Sequence, residues 1–238
     1  SLPGNKGGKK ETYIPYEQEA KALQLIREHR NEPFFLYLAV TPPHGAYIIP
    51  TDDPAFAMYE GISRGTQVQH YAAMVTRTDQ TIGKVMDLLK ELGIDDDTIV
   101  FYTSDNGPNP PFAKAIDSAG GLRGVKRMLY EGGIRAAMGV RWPGHIPAGK
   151  ESDFVWDMRD VFPTLCDLAG AEIPNHLDGM SVVPTLMGKA QRPRQMHYWE
   201  IHSPFQQAVR FGDWKAIRFG TEEPLELYDL NKDRREKQ

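Results

Sequence analysis

Residues 98–135 read TIVFYTSDNGPNPPFAKAIDSAGGLRGVKRMLYEGGIR, and no other stretch restricts the fold of the chain so tightly. The first six residues are β-branched, aromatic and apolar between charged and turn residues, which predicts a buried strand. The strand halts at Ser104-Asp105-Asn106-Gly107. An acid and an amide at the carboxyl end of a buried strand lie where open α/β sheets gather ligands, because the loops diverge there. Their hard oxygens suit Ca²⁺ or Mg²⁺, although Asp-Asn-Gly is equally good turn chemistry. The segment that follows is too long for an ordinary connection, and long loops in compact domains are functional or disordered. Arg123 and Lys126, set among glycines, favour a functional loop, while Lys126 taken singly reads as a solvated lysine.

The rest of the composition sets outer limits. With 238 residues, 40% hydrophobic and 25% charged, the chain can bury a real core. A net charge of −4 without long basic runs argues against a nucleic-acid partner. One cysteine, Cys166, excludes an internal disulfide framework and a cysteine-rich zinc site. No stretch reads as a membrane span or signal peptide. The opening residues read as the interior of a longer polypeptide or as an artificial edge.

In chain order, residues 1–12 predict a mobile lead-in. Residues 16–29 have helical periodicity, with Ala22, Leu25 and Ile26 on one face. Residues 34–40, FFLYLAV, form a continuous apolar run that fits a strand covered on both faces of a parallel sheet. That strand ends at Pro42-Pro43-His44-Gly45, so His44 also falls at a strand's carboxyl end. An imidazole there can donate a proton to a departing oxygen; the other reading is a loop histidine held by backbone hydrogen bonds. Asp52 and Asp53, beside Pro54 in an aperiodic excursion over residues 48–64, read as solvated or capping acids rather than metal ligands. A long helix is predicted over 66–92, with Val68, Tyr71, Val75, Ile82 and Leu89 on its stripe and Asp79 as a buried hydrogen-bond anchor.

Residues 136–142 predict a further strand. Asp160 N-caps a helix that ends at Gly170 and carries Cys166 as a small core residue. Past residue 194 the texture changes to short β-type runs at 196–201, 207–211, 214–219 and 225–230, with Gly212-Asp213 as a hairpin turn. Two domains are therefore expected: a main α/β domain over 12–189 and an antiparallel β subdomain over 190–238.

Three blocks in this order, Ser104-Asp105-Asn106-Gly107, Leu122-Arg123-Gly124-Val125-Lys126 and Tyr130-Glu131-Gly132-Gly133-Ile134-Arg135, resemble the sulfatase family. The Phe-rich run ending in Pro43-His44 is similar too. The resemblance covers residues 13–233 and implies an alkaline-phosphatase-like α/β fold, present in part, with a mostly parallel sheet flanked by helices and a small C-terminal antiparallel subdomain. It implies a sulfuric ester hydrolase in which Asp105 and Asn106 bind Ca²⁺, with Mg²⁺ possible. Lys126 would hold the sulfuryl oxygens and His44 would protonate the leaving oxygen, so that His44, Asp105 and Lys126 share one pocket. The implied partner is a small-molecule or saccharide sulfate ester, and the implied setting is periplasmic or secreted.

Sulfatases take their formylglycine nucleophile from Cys-x-Pro-x-Arg or Ser-x-Pro-x-Arg and two further metal-binding aspartates from their first portion. Neither feature is found here, and Cys166 is followed by Asp-Leu-Ala. The expectation is a chain inactive by itself that works with a missing N-terminal sulfatase segment. Two other readings stay open: a phosphoesterase of the same superfamily, disfavoured because no His-rich two-metal set follows Asp105, and a non-catalytic binding or structural module retaining the fold.

Overall fold

In the computed structural model, residues 4–6, 11–62 and 65–237 are described, and they divide into two compact units, Ser1–Thr98 and Ile99–Gln238. The lead-in expected over 1–12 lies outside the described residues at 1–3 and 7–10. Within it, Asn5 is tied to Thr12 by a pair of hydrogen bonds, Asn5 Nδ2 donating to the Thr12 carbonyl at 2.8 Å and Thr12 N–H to Asn5 Oδ1 at 3.0 Å.

The first unit is a helix pair with a cap. Helix α1 (Ile14–Glu28) has Pro15 in its first turn and buries Glu19, Ala22 and Ile26, one face at helical spacing. The one-turn α2 (Pro54–Ala57) is capped by Asp53, whose Oδ1 accepts from Ala55 N–H at 2.7 Å. Asp53 is buried at 4% exposure, so the capping reading holds and the solvated one does not. Helix α3 (Thr66–Glu91) packs Ala73 and Met74 against Ile49 and Ala55, with Tyr13, Phe56 and Tyr59 around them.

The buried face of α3 keeps Val68, Tyr71 and Leu89 of the expected stripe and departs from it between them. Val68, Tyr71, Met74, Arg77, Thr81 and Leu88 are buried, whereas Val75 and Asp79 are exposed. Burial follows the partner: Glu19 on α1 needs donors, and Arg77 and Thr81 supply them, as described below. Asp79 is therefore not the buried anchor; Glu19 and Asp53 are.

Residues 34–40 need a second correction. They run extended with alternating exposure, Phe35 at 76% and Tyr37 at 75%, and pair with no strand among the described residues. A strand in a parallel sheet needs a hydrogen-bonded neighbour and cover on both faces, and here this run has neither. Among the described residues it is tied by Gln18 Nε2, which donates to the Ala39 carbonyl at 3.0 Å.

The second unit opens with β1 (Val100–Thr103), followed by α4 (Pro110–Ile116), α5 (Glu131–Ile134) and β2 (Met138–Arg141). Strand β2 pairs with β1, Val100 opposite Arg141 and Thr103 opposite Met138, and the pairing is antiparallel. Every ladder among the described residues is antiparallel, and where a mostly parallel sheet was expected the described strands of the main domain are the antiparallel pair β1 and β2. A 3₁₀ turn at Met158–Asp160 leads into α6 (Val161–Ala169), which ends on Gly170 at φ 67°, the left-handed conformation glycine adopts cheaply. Asp160 does not cap the first amides of α6. Its Oδ2 accepts from Asp157 N–H at 3.0 Å, closing a capping box around the 3₁₀ turn.

After α7 (Val183–Leu186) comes the sheet β3 (His197–His202), β4 (Phe205–Phe211), β5 (Trp214–Arg218) and β6 (Glu226–Asp229), a meander in sequence order. Its inward face sends Ala208, Ile217 and Tyr228 against Leu129 and Tyr130. Its outward face leaves Phe211, Trp214 and Leu227 more than half exposed. Gly212, at φ 57°, makes the β4–β5 turn where the sequence placed it. The whole is α/β with a C-terminal antiparallel subdomain.

Candidate active site

The three sequence blocks are woven into one backbone knot in the second unit. Gly107 N–H donates to the Gly133 carbonyl at 2.9 Å, Gly132 N–H to the Arg123 carbonyl at 2.7 Å, and Lys126 N–H to the Pro108 carbonyl at 2.9 Å. The approach is so close that only glycine fits. A Cβ on Gly107 would lie 1.9 Å from the Gly132 oxygen, one on Gly132 2.4 Å from the Gly124 oxygen, and one on Gly133 2.0 Å from the Met128 oxygen. Segments separated by up to 26 positions, Gly107 to Gly133, are thereby fixed against each other without any side chain.

This knot carries three of the expected site residues. Asp105 is exposed at the end of β1, and its Oδ1 accepts from Asn106 Nδ2. Ser104 Oγ donates to the Asn106 carbonyl at 3.2 Å. Lys126 is half-buried, and among the described residues its ammonium has no hydrogen-bonding or ion-pair partner. The structure thus brings the Lys126 backbone to the loop that follows Asp105 and Asn106. His44 belongs to the first unit, exposed in a bend after residues 34–40, its N–H donating to the Thr41 carbonyl at 3.0 Å.

Two adjacent oxygens, the Asp105 carboxylate and the Asn106 amide, fit a hard cation in kind. They do not fit it in number: calcium takes about six to eight oxygens, and among the described residues no three His, Cys, Asp or Glu side chains are grouped to hold a metal.

Around the knot lies a shell of charges that the sequence reading left out, apart from its two arginines. Arg123 stacks 3.9 Å over the Tyr130 ring and donates to Tyr228 Oη at 2.9 Å and the Glu236 carbonyl at 2.6 Å, so it braces the loop. Burial pushes the Tyr130 hydroxyl well above its ordinary range, helped by its hydrogen bond to Glu226. Lys215 on β5, with no exposed surface, places Nζ 2.9 Å from Glu131 Oε1 and 2.8 Å from Glu236 Oε1. A lysine at an inward position of an alternating strand, Lys215 two before Ile217, was the available clue. In the first unit Arg77 Nη2 is 2.8 Å from Glu19 Oε2, which also accepts from Thr81 Oγ1 at 2.7 Å. Burial alone would raise the Glu19 carboxyl, but hydrogen bonds from Lys84, Thr81 and Arg77 outweigh it and hold it below its ordinary value.

The sulfatase family model matches residues 17–171, and that of the N-sulphoglucosamine sulphohydrolase C-terminal region matches 124–238. Mouse (Mus musculus) N-acetylgalactosamine-6-sulfatase is 34% identical over 211 residues, covering 84% of this chain and 37% of that protein. Human (Homo sapiens) arylsulfatase A is 32% identical over 246 residues, covering 92% of this chain and 46% of that protein. Among solved structures, BT33336S-sulf of Bacteroides thetaiotaomicron, from a locus for metabolism of multiple glycosaminoglycans, superposes with a TM-score of 0.81 at 27% identity. It is matched over 97% of this chain and 52% of its own. The chain therefore spans less than half the length of these two curated relatives. Among the described residues, no helix is long and apolar enough to cross a membrane.

Proposed function

We propose, from the premise that this chain belongs to the sulfatase family, that it carries the leaving-group and sulfate-holding side of a sulfuric ester hydrolase whose nucleophile lies outside these 238 residues. The observation that carries this reading is the glycine knot, which holds the amine-bearing Lys126 segment against the loop of Asp105 and Asn106. An ammonium on a fixed backbone, with no competing partner among the described residues, is suited to the charged oxygens of a sulfuryl group, whose charge shifts as the ester bond breaks. His44 donates a proton to the departing ester oxygen, its exposure in a loop leaving the imidazole accessible. Asp105 and Asn106 would offer two oxygens to Ca²⁺, or to Mg²⁺ as the other hard cation of their kind, and such a site would need further donors. A cation held there would supply positive charge beside the sulfate oxygens.

The chain contains no Cys-x-Pro-x-Arg or Ser-x-Pro-x-Arg, so a formylglycine nucleophile must be supplied by another segment and the chain alone is inactive. The names of the relatives, a hexosamine sulfatase and a glycosaminoglycan-locus protein, support a saccharide sulfate ester as substrate. Desulfation of an aryl sulfate and of a 6-sulfated N-acetylhexosamine tests this in the chain joined to a formylglycine-bearing sulfatase segment. Lys126→Ala is expected to lower kcat/KM by about 10²–10³-fold, and His44→Ala to lower kcat by about 10²–10⁴-fold, least for the best leaving group. Turnover by the isolated chain that Lys126→Ala abolishes would overturn the placement of the nucleophile.

A further inference from the structure

We infer that Lys215, which lies outside all three sequence blocks, is a positioning residue that sets the Lys126 loop and the Asp105–Asn106 loop together; this rests on the sulfate-holding reading above. Lys215 projects from the inward face of β5 into full burial, between Glu131 and Glu236. Glu131 opens α5, and its own N–H donates to Glu236 Oε2 at 2.6 Å. Arg135 Nε lies 3.6 Å from Glu131 Oε2 on the other side. Two carboxylates thus face one ammonium and one guanidinium, equal numbers of opposite charge, with the side chains of Lys215, Glu131 and Glu236 buried and that of Arg135 35% exposed.

From this tetrad the connections run outward in two directions. Gly132, next to Glu131, holds the Arg123 carbonyl, three residues before Lys126. Gly133, one further on, holds the N–H of Gly107, the residue after Asn106. Lys126 N–H closes the circuit on the Pro108 carbonyl. One ammonium on the C-terminal sheet thus fixes the turn of α5 from which both functional segments hang. Loss of that charge leaves Glu131 and Glu236 facing each other, and the segment that moves to separate them is the α5 turn.

Amide hydrogen exchange on the 238-residue chain tests this without substrate or metal. In Lys215→Met the amides of Gly107, Lys126 and Gly132 are expected to exchange about tenfold faster relative to the ladder amides of Trp199 and Ala208, and Lys215→Arg restores most of that protection. Ile217→Ala, which removes a fully buried neighbour on the same strand without touching the charges, is expected to speed loop and ladder amides together. Equal acceleration of loop and ladder in Lys215→Met, no acceleration of the loop, or no rescue by Lys215→Arg overturns the proposal. Should Lys215→Met fail to fold, Glu236→Gln, which keeps an oxygen for the Glu131 N–H and removes one charge, is read by the same ratio. Failure here leaves the role of Lys126 untouched, since that role is read from turnover; loss of the turnover effect of Lys126→Ala sinks the sulfate reading while exchange still reports on Lys215.

Discussion

Single side chains in this molecule matter most where charge is buried. Arg77, 8% exposed, answers Glu19 and lies 3.6 Å from Asp53 through Nε. Removing it takes one of three donors from Glu19, which keeps Lys84 and Thr81, while Asp53 keeps the Tyr16 hydroxyl and the Ala55 N–H, so Arg77→Met is expected to lose about 1–3 kcal/mol of stability in a denaturant titration. Asp157 shows how such a group makes stability depend on pH. Burial would raise its carboxyl, but hydrogen bonds from His197 and Arg159 prevail and pull it far below its ordinary value of 3.8. A depressed carboxylate adds stability above its unfolded-state pKa and loses it as pH falls through the folded one. Melting temperature should therefore fall with acidification from about pH 4 downward, and Asp157→Asn should flatten that limb; an unchanged acid slope in the variant would refute the assignment.

Elements are fixed here as much by missing side chains as by present ones. Gly133→Ala would drive a Cβ to 2.0 Å from the Met128 oxygen, and loss of at least about 3 kcal/mol is expected by thermal unfolding. Gly139→Ala, in β2 with nothing within 4 Å of the new atom, should stay within about 0.5 kcal/mol of the parent. Comparison of the two melts separates steric exclusion from the generic cost of changing glycine. The glycine blocks were legible in the sequence as a unit, and their backbone interlock was not, because spacing along a chain does not reveal which carbonyl meets which amide. Helices α1, α3 and α6 and strands β3 to β6 were legible from periodicity to within a few residues. The middle of the α3 face was misread because Arg77 and Thr81 look like surface residues until Glu19 on another helix is known to need them. Residues 34–40 have the composition of a doubly covered strand, yet burial depends on neighbours that no local pattern records.

At the scale of the whole molecule, the donor shortage around Asp105 and Asn106 sets an upper limit on metal affinity. Calorimetric titration of the chain with Ca²⁺ should give a dissociation constant no tighter than about 10⁻⁴ M, the range of weak sites with few charged ligands. Submicromolar binding would mean that the chain completes the coordination shell by itself. The outward face of the C-terminal sheet leads elsewhere. Trp214 stands there half exposed beside Phe211, while Trp199 is packed on the opposite side against the buried cluster. An indole in water emits at longer wavelength than one in a core and meets dissolved quenchers freely. Trp214 is thus a built-in optical reporter: a blue shift with lost acrylamide quenching would register, in real time, the arrival of anything that comes to sit on that sheet.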